Sequence, residues 1–184
     1  LFPYTTLFRS RIGSAVASRA RGFGLAIHYY ARERRPAQLE ERLEAVFHPS
    51  LDEMAETVDI LSLHTPLTAD TYHILSRPRL APMRPEAFVV NVSRPELIDE
   101  AALVEAIAAG RLSGAALDVF ESRNGISEAL LALARAHRIV LTPHMASATL
   151  EARIEMGETV IVNIRAFIDG HQPPHRVLPE TRGR

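Results

Sequence analysis

Residues 88–120 read FVVNVSRPELIDEAALVEAIAAGRLSGAALDVF, and the fold follows from how this stretch divides. Phe88-Val89-Val90-Asn91-Val92 is an apolar run too short for a helix and rich in branched residues, the pattern of a buried parallel strand. Ser93, Arg94 and Pro95 end it. From Glu96 to Ala109, Leu97, Ala101, Val104 and Ile107 share one face, and Gly110 stops the run, which predicts a helix with a C-terminal glycine. Ala115 to Phe120 is the next strand. The unit is strand–helix–strand, with Arg94 leaving the end of the first strand and Asp118 the end of the second. Ligands of open parallel sheets bind outside the carboxyl ends of the strands, where both charges project.

The rest of the chain extends this alternation. A small-residue helix through Ala15, Val16, Ala17 and Ala20 ends near Gly22, and a strand follows over residues 25–30. Further strands are expected at 45–47, 58–63 and 138–142, with Ser50 and Ser127 as helix caps. Ser76 to Met83 reads as a short helix interrupted by Pro78 and Pro82. A long helix runs from Ser147 to Asp169, its apolar stripe carrying Leu150, Ile154, Ile161, Ile164 and Ile168. The expected fold is an α/β, Rossmann-like doubly wound parallel sheet. Its first strand should be missing, because Leu1 to Ser10 (LFPYTTLFRS) reads as the in-frame translation of a sequencing adapter rather than native protein. The expected divisions are therefore a leader over 1–10, a cofactor-binding domain over 11–150, and a C-terminal helix and tail over 151–184.

Composition narrows the classes. Of 184 residues 47% are hydrophobic, and the net charge of −1 gives no basic excess for nucleic acid or an anionic membrane. No apolar run reaches membrane-spanning length. The chain has no cysteine, hence no disulfide and no thiolate metal site, which agrees with a cytoplasmic location. No metal site is expected.

Gly13 stands where a dinucleotide-binding unit carries the last glycine of GxGxxG, and the helix it opens would face a pyrophosphate. Arg32-Glu33-Arg34-Arg35 begins 19 residues later, just past the strand. An NAD site needs a carboxylate there to accept from the ribose 2′-hydroxyl, whereas guanidinium groups suit the 2′-phosphate of NADP. NADP is therefore favoured over NAD, against the plainer reading of a solvated basic loop. Arg94, Asp118 and His144 all leave strand ends. An arginine fork can grip a carboxylate, and an imidazole can give a proton to a carbonyl oxygen as hydride reaches its carbon. His64, also at a strand end, is expected to shape its loop.

The motifs RIGSAVASRARGFG, VDILSLHTPLT, VVNVSR with IDEAAL behind it, GAALDVFE and LTPHMASAT resemble those of the D-isomer-specific 2-hydroxyacid dehydrogenases. The ending IEMGETVIVNIRAFIDGHQPPHRVLP is similar to their glyoxylate/hydroxypyruvate (D-glycerate) reductase branch. The resemblance implies that Arg94 binds the carboxylate and carbonyl of a small 2-oxo acid and that His144 is the acid/base. It implies that Asp118 holds the nicotinamide carboxamide, and that Arg11, Ile12 and Gly13 line the pyrophosphate. Arg32 and Arg34 would flank the adenosine ribose, with backbone near Pro66, Val92, Ser93 and Ala146 completing the site. It implies a homodimer, and a second substrate domain, missing here, to which the long helix returns; the chain alone should not turn over substrate. Two positions depart from the pattern: Arg123 stands at the usual glutamate and Pro95 at the usual glycine. A cation at 123 would depress rather than raise the histidine's pKa. That departure keeps open a second class, a dinucleotide-binding regulatory or corepressor-like protein on the same fold.

Overall fold

In the computed structural model, residues 3–7, 11–121 and 125–176 are described, the first of these segments through its backbone. The chain divides into two units, Leu1–Pro143 and His144–Arg184.

The first unit is a seven-stranded parallel sheet in the order β3-β2-β1-β4-β5-β6-β7, the doubly wound arrangement whose direction of winding reverses beside β1. The strands are β1 (Pro3–Leu7), β2 (Ala26–Tyr30), β3 (Ala45–His48), β4 (Ile60–Leu63), β5 (Phe88–Asn91), β6 (Gly114–Leu117) and β7 (Ile139–Leu141). Its helices are α1 (Arg11–Gly22), α2 (Ala37–Leu43), α3 (Leu51–Thr57), α4 (Arg77–Leu80), α5 (Glu100–Ala108) and α6 (Glu128–Arg135). A sheet lacking its first strand was expected. Instead Pro3–Leu7 fills that place, with Thr5 in register between His28 of β2 and Leu61 of β4. The physical reason is pairing. Without β1, both β2 and β4 would present unpaired N–H and C=O groups to the middle of the sheet, and the segment Tyr-Thr-Thr-Leu has the β propensity to cover them.

The expected helix from Glu96 is divided. Pro95–Leu97 is a single 3₁₀ turn, Ile98 is extended and bridges to Leu75, and α5 starts only at Glu100. Asp99 imposes the restart, its side chain accepting from the Ala102 N–H at 3.0 Å. Pro95 sits in the first turn, where it forfeits no helical hydrogen bond. Gly110 ends α5 with a left-handed φ of 71°, and Arg111 N–H bonds back to Ala106. Ser50 and Ser127 cap α3 and α6 as expected. Helix α2, following Pro36, has no counterpart in the sequence reading, because seven residues are too few to show a helical period.

Two apolar clusters form the core. The larger runs from Leu51 and Met54 through Val89, Leu103 and Ile107 to Ile139, and the smaller joins Ala17 and Ala20 of α1 to Ile27, Tyr29 and Leu43. Gly13 is buried in the first turn of α1. The second unit holds α7 (Leu150–Ile168), capped by the Thr149 hydroxyl on the Ala152 N–H at 3.2 Å. No residue of α7 is buried, and the Asn163 carboxamide holds the His175 N–H at 2.9 Å. Among the described residues no helix is long and apolar enough to cross a membrane.

Candidate functional site

The carboxyl edge of the sheet is built by short polar turns. At the end of β5 the buried Asn91 works in both directions: its amide donates to the Arg94 carbonyl at 2.8 Å, and its carbonyl accepts from the Ser93 N–H at 3.0 Å. The Ser93 hydroxyl then donates to the Leu63 carbonyl at 2.8 Å, tying the turn to the end of β4. This closed turn presents Arg94 to solvent, its guanidinium returning one bond to the Ser93 carbonyl at 2.9 Å. Sequence reasoning assigned Asn91 to the strand and missed this role; a lone amide inside an otherwise apolar run was the available signal.

Asp118 follows β6, where its N–H bonds the Asn91 carbonyl at 3.0 Å. The residue is 5% exposed, and its carboxylate accepts from the Thr142 hydroxyl after β7. Arg94 and Asp118 therefore leave neighbouring strands of one sheet, as expected. His144 opens the second unit, is exposed, and has a φ of 55°. That left-handed conformation is uncommon for a residue with a side chain and is found disproportionately at functional positions. Ala146 stands two residues on, in the same unit. Arg123 lies outside the described residues. Glu121, just before it, pairs with His73 Nε2 at 3.1 Å, while its N–H donates to Glu100 at 2.8 Å.

His64 is 4% exposed, with Nε2 2.9 Å from the Ser62 hydroxyl. Burial pushes its pKa down to about 4, so it is a neutral hydrogen-bonding part of the loop after β4.

Beyond the carboxyl ends of β2 and β4 lies a cleft of about 220 Å³, lined by Tyr30, Ala31, Pro66 and Ile74 on its apolar side and by Arg32, Glu33, Arg35 and Asp70 among its charges. Its place, straddling the strand where the winding reverses, is where doubly wound sheets take nucleotides. An apolar floor rimmed by two guanidinium groups fits an adenosine and its phosphate. Arg11, Ile12 and Gly13 form the first turn of α1, which carries no carboxylate to oppose an anion at the helix's positive end. Arg34 does not line the cleft. Its guanidinium grips Glu40 with Nε at 2.9 Å and Nη2 at 2.9 Å, and lies over the Phe47 ring. The bond to Glu40 raises Arg34's pKa and lowers that of the carboxylate. Tyr29 also donates to Glu40 and accepts from the Arg35 N–H at 2.9 Å, so this network braces the whole arginine loop. Sequence reasoning paired Arg34 with the ribose because it could not see Glu40, which lies on an unassigned helix.

Among the described residues no cluster of three metal-ligating side chains exists. The fold and the cleft define a dinucleotide-binding domain of the oxidoreductase kind. Residues 9–146 match the model of the D-isomer specific 2-hydroxyacid dehydrogenase NAD binding domain, and the chain belongs to that family. A glyoxylate reductase of Thermococcus gammatolerans is 44% identical over 170 residues, covering 92% of this chain and 49% of the relative. The crystal structure of an NADPH-dependent glyoxylate/hydroxypyruvate reductase from Sinorhizobium meliloti, with NADP and malonate, has a TM-score of 0.80 at 36% identity. It covers 91% of this chain and 50% of that one. A D-lactate dehydrogenase of Lactobacillus jensenii with NAD+ superposes at a TM-score of 0.86 with 26% identity, covering 97% and 56% of the two chains. The chain spans about half the length of the curated relatives it matches. Its cofactor is a nicotinamide dinucleotide, NAD(P).

Proposed function

We propose that this chain is the cofactor-binding part of an enzyme that reduces a small 2-oxo acid, glyoxylate or hydroxypyruvate, with NADPH preferred to NADH. The observation that carries the reading is Arg94, held exposed at the carboxyl edge of the sheet by the closed Asn91–Ser93 turn. The dinucleotide, when bound, supplies the hydride. Arg94 orients the substrate by a forked grip on its carboxylate, a geometry lysine could not reproduce. His144 gives the carbonyl oxygen its proton, and Asp118, held by Thr142, receives the carboxamide of the nicotinamide. The first turn of α1 takes the pyrophosphate, Pro66 and Ser93 border the dinucleotide, and Arg32 faces the adenosine ribose. The names of the relatives support the enzyme over a regulatory dinucleotide sensor.

The same reading makes residues 11–150, together with the strand β1 that completes their sheet, the dinucleotide domain, and gives 151–184 as a C-terminal helix and tail that seat on a substrate domain. The whole enzyme is then a cytoplasmic homodimer, and the 184-residue chain alone is inactive. The test is fluorescence titration of the purified chain with NADPH and NADH, before and after Arg32→Ala, together with an assay for glyoxylate reduction. Loss of one phosphate contact is expected to weaken NADPH by about tenfold or more and leave NADH nearly unchanged. Equal affinity for the two cofactors in the unsubstituted chain would sink the NADP preference. Turnover by the chain alone would refute its expected inactivity.

A further inference from the structure

The cleft beside the arginine loop contains a charge that works against its guanidinium groups. Asp70 belongs to a 3₁₀ turn, Ala69–Thr71, that is capped by side-chain hydrogen bonds. Thr68 and Thr71 form a reciprocal cap, with the Thr68 N–H on the Thr71 hydroxyl at 2.7 Å. The Thr71 hydroxyl in turn donates to the Pro66 carbonyl at 2.7 Å, anchoring the turn to the loop that borders the cleft. Asp70 is thereby held across the cleft from Arg32, with Oδ2 3.9 Å from Nη1. Both side chains are open to water, 79% and 60% exposed, and such a pair is weak enough for a ligand to displace.

We propose that Asp70 is a specificity-determining residue for the adenosine end of the cofactor, tempering the preference for a 2′-phosphate that Arg32 and Arg35 create. The inference rests on the dinucleotide reading of the cleft. Arg32 leaves the end of β2 at the place where such domains read the ribose 2′ position. A phosphomonoester there takes the Arg32 guanidinium from Asp70. The carboxylate, held by its turn, then faces a group carrying more than one negative charge. A free 2′-hydroxyl brings no charge and meets no repulsion. Asp70 accordingly narrows the gap between the two cofactors.

The experiment is calorimetric titration of the full 184-residue chain with adenosine 2′,5′-bisphosphate and with 5′-AMP, which differ by the 2′-phosphate. Asp70→Asn should tighten the bisphosphate by about three- to tenfold, the size of screened repulsion between a carboxylate and a phosphate a few ångströms apart. Binding of 5′-AMP should change by less than about twofold, since its charge lies at the other end of the nucleoside. The gain should shrink between low and high salt, and Asp70→Glu should keep the original ratio of affinities. An unchanged ratio in Asp70→Asn, or an equal change for both probes, overturns the proposal while the cofactor reading stands. If the unsubstituted chain binds neither probe, the cofactor reading fails, and the proposal with it.

Discussion

His64 shows at the scale of one residue how the fold spends stability on a loop. Its ordinary pKa is 6.5, and burial lowers it to about 4. Above pH 6.5 the folded and unfolded chains both carry it neutral. As pH falls below 6.5 the unfolded chain takes up a proton that the folded chain refuses, until both are protonated near pH 4. A difference of that size corresponds to roughly 3 kcal/mol of stability lost across the window. His28 titrates in the same direction, depressed by burial and by His48, whose Nε2 is 2.8 Å away. The expected outcome is a fall in urea midpoint between pH 6.5 and 4 that is clearly shallower in His64→Gln; parallel pH profiles for the two proteins would show that His64 titrates normally.

At the scale of the element, the strand pair β6–β7 depends on a glycine. A Cβ built on Gly114 would lie 2.2 Å from the Arg138 carbonyl oxygen, and Arg138 itself is clamped to the Ser113 and Leu112 carbonyls at 3.1 and 2.9 Å. Neither backbone can give way without loosening the register that places Asp118 and Thr142 side by side. Gly114→Ala should therefore cost about 1–3 kcal/mol, the usual range for overpacking. It should also increase hydrogen exchange at the Thr142 amide, which bonds the Leu117 carbonyl at 3.0 Å. An unchanged midpoint and unchanged exchange would mean that β7 slides freely past the glycine. The pair illustrates what periodicity leaves out. The apolar runs of β6 and β7 are legible in sequence, but the contact demanding a glycine joins positions 24 residues apart.

At the scale of the whole molecule, α7 is a long helix whose apolar stripe stays exposed. Ile161 is 65% exposed, Phe167 74% and Ile168 75%, on a helix that buries none of its residues. Contiguous apolar surface of this kind drives association. The purified chain should self-associate with rising concentration, as read by sedimentation velocity. Ile161→Glu with Ile168→Glu should suppress that association while leaving the thermal midpoint of the sheet unit within about 2 °C, since exposed positions carry little folding energy. A monomer at all concentrations would show that this stripe does not mediate self-association.

The sequence by itself determined the alternation of strand and helix, the caps at Ser50, Ser127 and Gly110, and the emergence of Arg94 and Asp118 from successive strands. Those features are written in spacing and in the local chemistry of turns, which a linear reading can follow. Tertiary structure decided the rest: Pro3–Leu7 as an interior strand between β2 and β4, the restart of α5 at Asp99, Asn91 as the frame of Arg94, and the division of labour within the arginine loop. The strand β1 turns on partners distant in the chain, whereas the Asn91 turn and the Arg34–Glu40 pair join near neighbours that only the folded backbone brings into reach. Arg32, Arg34 and Arg35 are chemically alike, and only the folded chain sends one of them to Glu40 and leaves the others at the cleft.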